Sequence, residues 1–172
     1  MSVDTKHWEL RNVCPEDSEH ILAIANSPTV RALSFSATPI SLEEHNAWFS
    51  RRLARVPLLF YVMIVAHREP LAGYVRFDML NDSVDTARVS TALAERWRGM
   101  GMGRWLMEKG TKAAFRDFPM LCYITASIKT DNIASQKMCE AAKFIKYDNL
   151  NGMFEYRLNR QQYFNAPVEG KV

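Results

Sequence analysis

The chain is short of the features that would assign it to several large classes. It has three cysteines in 172 residues, Cys14, Cys122 and Cys139, widely spaced and without a CxxC pair. That odd, scattered set argues against a disulfide framework and against a zinc site, so no metal is expected. The N-terminal MSVDTKHWEL has no basic-then-apolar pattern of an export signal, and a reducing cytoplasmic setting is the expectation. The longest apolar run, near VPLLFYVMIVA, is too short to cross a bilayer as a helix, so no membrane insertion is expected. No run of lysines or arginines occurs, and the net charge of +3 with a pI near 8.8 does not imply nucleic acid. Glycine is scarce too, yet three of the seven glycines crowd into one decapeptide, RWRGMGMGRW, residues 96–105.

What is present fits one ordinary domain: 48% hydrophobic and 24% charged residues over a length that buries a real core. Residues 7–13 form a first strand. A helical pattern follows Pro15 and runs through Ala25. Residues 27–40, with two prolines and several serines and threonines, mark a loop. Ser41 and Glu44 in SLEE make a capping box for a helix to about Arg55, with Leu42, His45, Trp48, Phe49 and Leu53 on one face. Residues 58–66, 72–79 and 86–93 are strands, joined by turns near HREP and NDS, and so antiparallel. A helix over 103–116, a strand over 121–128, a helix over 132–142 and two strands, KFIKYD and MFEYRL, complete a single domain, residues 1–160. Residues 161–172 form a polar, flexible tail. Alternating helices and strands around a central meander indicate an α/β fold with a mixed sheet.

The glycine stretch lies between a strand ending near Leu93 and a helix starting near Gly103. Glycines there allow positive φ and remove the Cβ atoms that would keep a ligand from the backbone. Several N–H groups and the positive end of the helix dipole then converge on one point, an anion site to which Arg98 and Arg104 add full charges. Neither GxxxxGK[ST] nor GxGxxG is present. The plain alternative is a tight strand-to-helix turn with no ligand.

RGMGMG (98–103) resembles the Arg/Gln-x-x-Gly-x-Gly/Ala pyrophosphate loop of the GNAT superfamily of N-acetyltransferases. Some 30 residues on, TDNIASQKMCEAAKF (130–144) is similar to that superfamily's Asn-x-x-Ser helix. The resemblance implies a mostly antiparallel sheet of about seven strands flanked by four helices, splayed at an acyl-CoA cleft, and an enzyme using acetyl-CoA. It implies backbone contacts from Thr91 and Leu93 to the pantetheine arm. The loop Arg98, Gly99, Met100, Gly101, Met102, Gly103 and Arg104 would hold the pyrophosphate, and Asn132 and Ser135 would contact the cofactor.

The first half is similar, more loosely, to nucleotide-sugar N-acetyltransferases of the same superfamily, which act on 4-amino sugars of the pseudaminic-acid type. That implies a small-molecule amine acceptor, a nucleotide-linked amino sugar, held by Arg31, His45, Trp48, Phe49 and Arg76. Arginine matches phosphate oxygens bidentately, and an aromatic ring can stack on a base. The plain alternatives are core packing for Trp48 and Phe49, a half-buried histidine at 45, and a carboxylate partner for Arg31. For proton transfer the base is open. Arg88 stands where relatives often place Glu, leaving Asp78, Glu95 or a water chain. Cys139 stands where many relatives have the tyrosine acid. Two other readings stay open: a ribosomal-protein type N-terminal acetyltransferase and a non-catalytic acyl-CoA-binding module. A homodimer is one option for the oligomeric state.

Overall fold

The computed structural model describes residues 7–65, 68–80 and 83–165. Seven strands form one open sheet: β1 (Trp8–Asn12), β2 (Phe60–Val65), β3 (Arg68–Met79), β4 (Thr86–Leu93), β5 (Tyr123–Lys129), β6 (Ile145–Leu150) and β7 (Met153–Asn159). The helices are α1 (Ser18–Ala25), α2 (Pro28–Leu33), α3 (Leu42–Leu53), α4 (Met102–Asp117), α5 (Ile133–Ala141) and α6 (Arg160–Asn165). Four of the six have eight residues or more. The strand order is β1-β2-β3-β4-β5-β7-β6, and every neighbouring pair is antiparallel except β4 with β5. The expected mixed α/β fold of the GNAT type is the one observed.

The period-two pattern of the strands divides the core in two. Tyr61, Met63, Val75, Phe77, Ala87 and Val89 turn to one face, where α4 covers them with Leu106, Met107, Ala114 and Phe115. Phe60, Val62 and Tyr74 turn to the other face, where Ile21, Ile24 and Phe49 meet them from α1 and α3. The α3 start is the predicted capping box: Ser41 Oγ accepts from the Glu44 amide (3.2 Å), and Glu44 Oε2 accepts from the Ser41 amide (2.9 Å).

Several expectations need correction. The 27–40 stretch is not all loop: Pro28 occupies the first turn of α2, where its missing N–H costs nothing. Leu42 does not join the buried face of α3; it lies in the first turn and is 60% exposed, while Arg52 is buried instead. β3 begins at Arg68, inside the stretch expected to turn, and Arg68 pairs with Val65. Residues 66 and 67, and the 81–82 part of the NDS turn, lie outside the described residues. Residues 161–165 are not an irregular tail but most of α6, whose Tyr163 and Phe164 rings pack 5.6 and 5.9 Å from Phe115. Residues 166–172 lie outside the described residues.

Gly110 shows how tightly α4 meets the sheet. A Cβ there would stand 2.5 Å from Val75 Cγ1. Alanine improves helix propensity by about 1 kcal/mol, but overpacking costs about 1–3 kcal/mol. Gly110→Ala is therefore expected to lower stability, by up to about 2 kcal/mol, in urea denaturation. An increase would mean that α4 stands farther from β3.

Candidate active site

β4 and β5 are paired at only three positions, Thr86 with Tyr123, Ala87 with Ile124 and Arg88 with Thr125. Beyond them both strands continue, to Leu93 and Lys129, without pairing. The antiparallel ladder on the other side of β4 fixes which backbone groups this leaves open. Leu80 N–H donates to the Thr86 carbonyl, and Ala94 N–H donates to the Ala72 carbonyl. Even-numbered residues of β4 thus bond to β3, so Val89, Thr91 and Leu93 turn their backbone groups toward the gap. The Leu93 carbonyl is already taken, by Arg98 Nε and Nη2 at 3.1 and 3.0 Å.

Two adjoining cavities occupy this gap. The deeper one, about 340 Å³, reaches from the Val89–Ala92 part of β4 across to Ser127 and Cys139. The other, about 520 Å³, is bounded by Leu93, Gly99, Gly103 and Lys137. Thr91, Asn132 and Ser135 line both.

The glycine loop closes the second cavity. Gly99 and Gly101 both have φ of +76°, and the space where their Cβ atoms would stand is open. Gly101 is the N-cap of the 16-residue α4. The first amides of that helix have no intrahelical acceptor and carry the positive end of its dipole. Gly103 has an ordinary helical φ, and its use is different: a Cβ would come within 3.2 Å of Met138 Sδ. Met100 is exposed, whereas the Met102 side chain is in the core, so only its backbone faces this region. Arg98 turns back to cap Leu93 and also donates to Ser27 Oγ at 3.1 Å. Arg104 pairs with Glu108 at 2.7 Å across one helical turn.

On the facing wall, Asn132 caps α5 by accepting from the Ser135 amide at 3.1 Å. One turn further along is Cys139, 1% exposed. Burial, reinforced by Glu140, pushes its thiol up to about 12. A thiol held there stays protonated but is a weaker acid than an ordinary one, which opposes the role of proton donor to a departing thiolate.

The expected acceptor residues separate into two groups. Arg31 and Arg76 line the deeper cavity. Arg31 is also a strap: Nε donates to the Ala25 carbonyl (2.7 Å), Nη2 to Ser34 Oγ (3.1 Å), and Nη1 to the Ser36 and Thr38 carbonyls. It thereby fixes the loop after α2 over the cleft. His45 and Phe49 line neither cavity. They are buried, stack with centroids 5.5 Å apart, and His45 Nε2 contacts Ser18 Oγ at 3.0 Å. Burial lowers the pKa of that imidazole below its ordinary value. Trp48 is half-buried against Phe60, with the Arg76 guanidinium 5.1 Å over its ring. The plain core reading fits His45 and Phe49, while Trp48 is half-buried and lines neither cavity. Asp78 does not line the cleft; its carboxylate is engaged by Arg52 (2.6 Å) and by Arg76. Glu95 lies in the exposed turn after β4, also outside the deeper cavity.

Residues that spacing alone did not single out complete the deeper cavity: Phe35, Tyr74, Ser127 and Lys129, with Arg88. Burial raises the Tyr74 phenol, while Arg76 and Arg31 act in the opposite direction. Strand alternation carries the signal for several of them. Tyr74, Arg76, Arg88 and Ser90 share one face of β3 and β4 by register.

Residues 7–145 match the acetyltransferase (GNAT) domain, most of the chain. The chain belongs to this family of acetyl-CoA-dependent N-acetyltransferases. Among solved structures it is similar to spermidine N-acetyltransferase from Vibrio cholerae in complex with CoA and spermine, with a TM-score of 0.80, 19% identity, and coverage of 92% of this chain and 99% of that one. It is also similar to yncA of Salmonella typhimurium with its cofactor acetyl-CoA (TM-score 0.72, 19% identity, 88% and 93% covered). A third likeness is to ribosomal-protein-alanine N-acetyltransferase from Brucella melitensis (TM-score 0.72, 18% identity, 88% and 99% covered). No curated protein matches it by sequence.

Two outcomes follow from this geometry. Gly101→Val forces a β-branched residue into the left-handed region and fills open space beside the first amides of α4. CoA affinity measured by calorimetry should fall about tenfold or more in a folded variant; unchanged affinity would remove the loop from the cofactor site. Cys139→Ala should keep turnover within about twofold of the parent, as expected of a buried thiol that is a poor acid. A large drop in kcat with CoA affinity intact would restore the thiol as proton donor.

Proposed function

We infer that the protein transfers acetyl from acetyl-CoA to the primary amine of an acceptor that also carries a phosphate or carboxylate. The observation that carries this reading is charge. Arg31, Arg76, Arg88 and Lys129 line the deeper cavity, and no Asp or Glu is among the described residues lining either cavity. The Arg88 guanidinium has no hydrogen-bond or ion-pair partner among the described residues. A polyamine of the kind bound in the Vibrio cholerae structure would meet cations there; an anionic amine would find a ready counter-charge.

A nucleotide-linked amino sugar belongs to this class and is the acceptor we favour. Arg88 and Arg76 suit its diphosphate, as guanidinium forks match phosphate oxygens. Trp48 and Phe49 are unavailable for its base, but Phe35, 70% exposed at the cavity rim, offers a ring face.

In this reading the pantetheine arm pairs with the open backbone groups of Val89 and Thr91, much as a missing strand would. The amides of residues 100–103 and the Arg104 charge hold the pyrophosphate, with Asn132 and Ser135 on the opposite wall. The thioester lies toward the closed end of the cleft, where a backbone N–H of β4 polarises its carbonyl. The acceptor amine attacks that carbonyl directly.

The deciding experiment is a thiol-release assay over four acceptors: a UDP-linked 4-amino sugar, an α-amino acid, a peptide with a free N-terminal alanine, and spermidine. The UDP-linked amino sugar should give the highest kcat/KM and spermidine the lowest. Arg88→Gln should lower kcat/KM for the UDP-linked sugar by about 10- to 150-fold, the worth of a charge-assisted contact, with the acetyl-CoA KM unchanged. A preference for spermidine, or an Arg88→Gln variant with parental kcat/KM, would contradict the anionic acceptor.

A further inference from the structure

An amine must shed a proton to attack a thioester, yet no carboxylate lines the cleft among the described residues. Two carboxylates are nonetheless hydrogen-bonded to side chains of the acceptor wall. Asp78 reaches the wall through Arg76. A guanidinium remains charged in proteins and does not pass a proton on. Glu155 reaches the wall through Ser127, whose hydroxyl donates to Oε2 at 2.7 Å. A hydroxyl both gives and accepts a proton, so this second contact can do what the first cannot.

The position suits the chemistry. Ser127 lines the deeper cavity and stands two residues beyond Thr125, the last residue of β5 paired with β4. That is about 7 Å along the strand from the closed end of the cleft. Glu155 is the β7 residue directly opposite Ser127 in the β5–β7 register, and it is half-buried.

The charged groups around Glu155 come from four strands. On β7, Arg157 is two residues away, but its guanidinium stacks on Tyr123 and Tyr147 at 5.4 and 5.2 Å. On β5, Lys129 donates to the Ala32 carbonyl at 2.9 Å. On β6, Asp148 is the register partner of Glu155. Across the gap, Arg88 is on the same face of the sheet. Among the described residues Glu155 has no ion-pair partner. Its carboxylate is thus held by a hydroxyl, not neutralised by a cation.

We propose that Ser127 and Glu155 form the proton exit of the acceptor site. The acceptor ammonium gives one proton to Ser127 Oγ as the Ser127 hydroxyl proton moves to Glu155 Oε2. The neutral nitrogen then bonds to the thioester carbonyl carbon and the C–S bond breaks. Of the two protons left on nitrogen, one stays on the new amide and the other ends on the departing sulfur, giving the CoA thiol. The proton on Glu155 leaves to solvent and resets the pair. Ser127 touches the amine; Glu155 acts through it. The proposal rests on acetyl transfer to an amine and not on the charge of the acceptor.

The test uses whichever of the four named acceptors the wild-type protein turns over with the highest kcat/KM. Glu155→Gln and Ser127→Ala should each lower kcat/KM at pH 7 by about a hundredfold. Acetyl-CoA affinity by calorimetry should stay unchanged in both, which also reports that the variants fold. The deficit should shrink as pH rises and more free amine is present. Glu155→Asp should recover part of the rate, and the double variant should be no slower than the slower single one, as for two members of one relay. Losses that multiply in the double variant, a deficit that does not vary with pH, or full activity of Glu155→Gln would each overturn the proposal. Preference for spermidine would contradict the anionic acceptor alone and leave the relay to be judged on the same variants.

Discussion

The pairing of β4 with β5 stops after three residue pairs while both strands run on, and everything functional in this molecule depends on that early parting. A central sheet with unpaired backbone at its middle leaves polar groups that must find partners. Here the open edge of β4 presents groups of Val89, Thr91 and Leu93, and one carbonyl among them is capped by Arg98. The remainder face a cleft whose far end meets the unsatisfied amides of α4. A ligand with amide groups at one end and a pyrophosphate at the other complements both, and that is the build of an acyl-CoA arm. Family membership and the open strand edge thus lead to the same place.

The rest of the fold serves to hold the gap open in one shape. α4 is clamped to the sheet where Gly110 lets it approach Val75, and this sets where its N-terminus stands. Arg98 ties the end of β4 to Ser27, just before α2. Arg31 bonds to the Ala25, Ser36 and Thr38 carbonyls on either side of α2 and Lys129 to the Ala32 carbonyl within it, so the roof of the acceptor cavity hangs on two cations from different parts of the chain. Charge does double duty there. The same cations that secure the roof line the cavity, and the proposed anionic acceptor rests on their charge.

How much of this could be read from the sequence varies with the range of the interaction. The glycine loop and the Ser41 capping box are local patterns, and local backbone chemistry made them legible. The strands were legible because β-branched and aromatic runs alternate with turn residues. The aromatic residues of α3 were less so. Helical spacing places His45, Trp48 and Phe49 together, but it does not say whether that face meets a ligand or the underside of β2. The packing of Trp48 and Phe49 on Phe60 is a tertiary fact. Arg98 carries the motif position, yet its guanidinium turns back to Leu93, a preference no spacing rule expresses. Ser127 and Glu155 are 28 residues apart and meet only through the β5–β7 register. The tail at 161–165 looked polar by composition, and it was the two rings of Tyr163 and Phe164 that drew it onto Phe115.

The central claim is that acetyl-CoA completes the sheet along the open edge of β4. Amide hydrogen exchange, read residue by residue by NMR with and without CoA, tests it most directly. The account predicts that CoA slows exchange at Val89 and Thr91, whose amides face the gap, while Ser90 and Ala92, already bonded to β3, change little. Protection that falls equally on odd and even residues, or that bypasses β4 for another part of the surface, would contradict it.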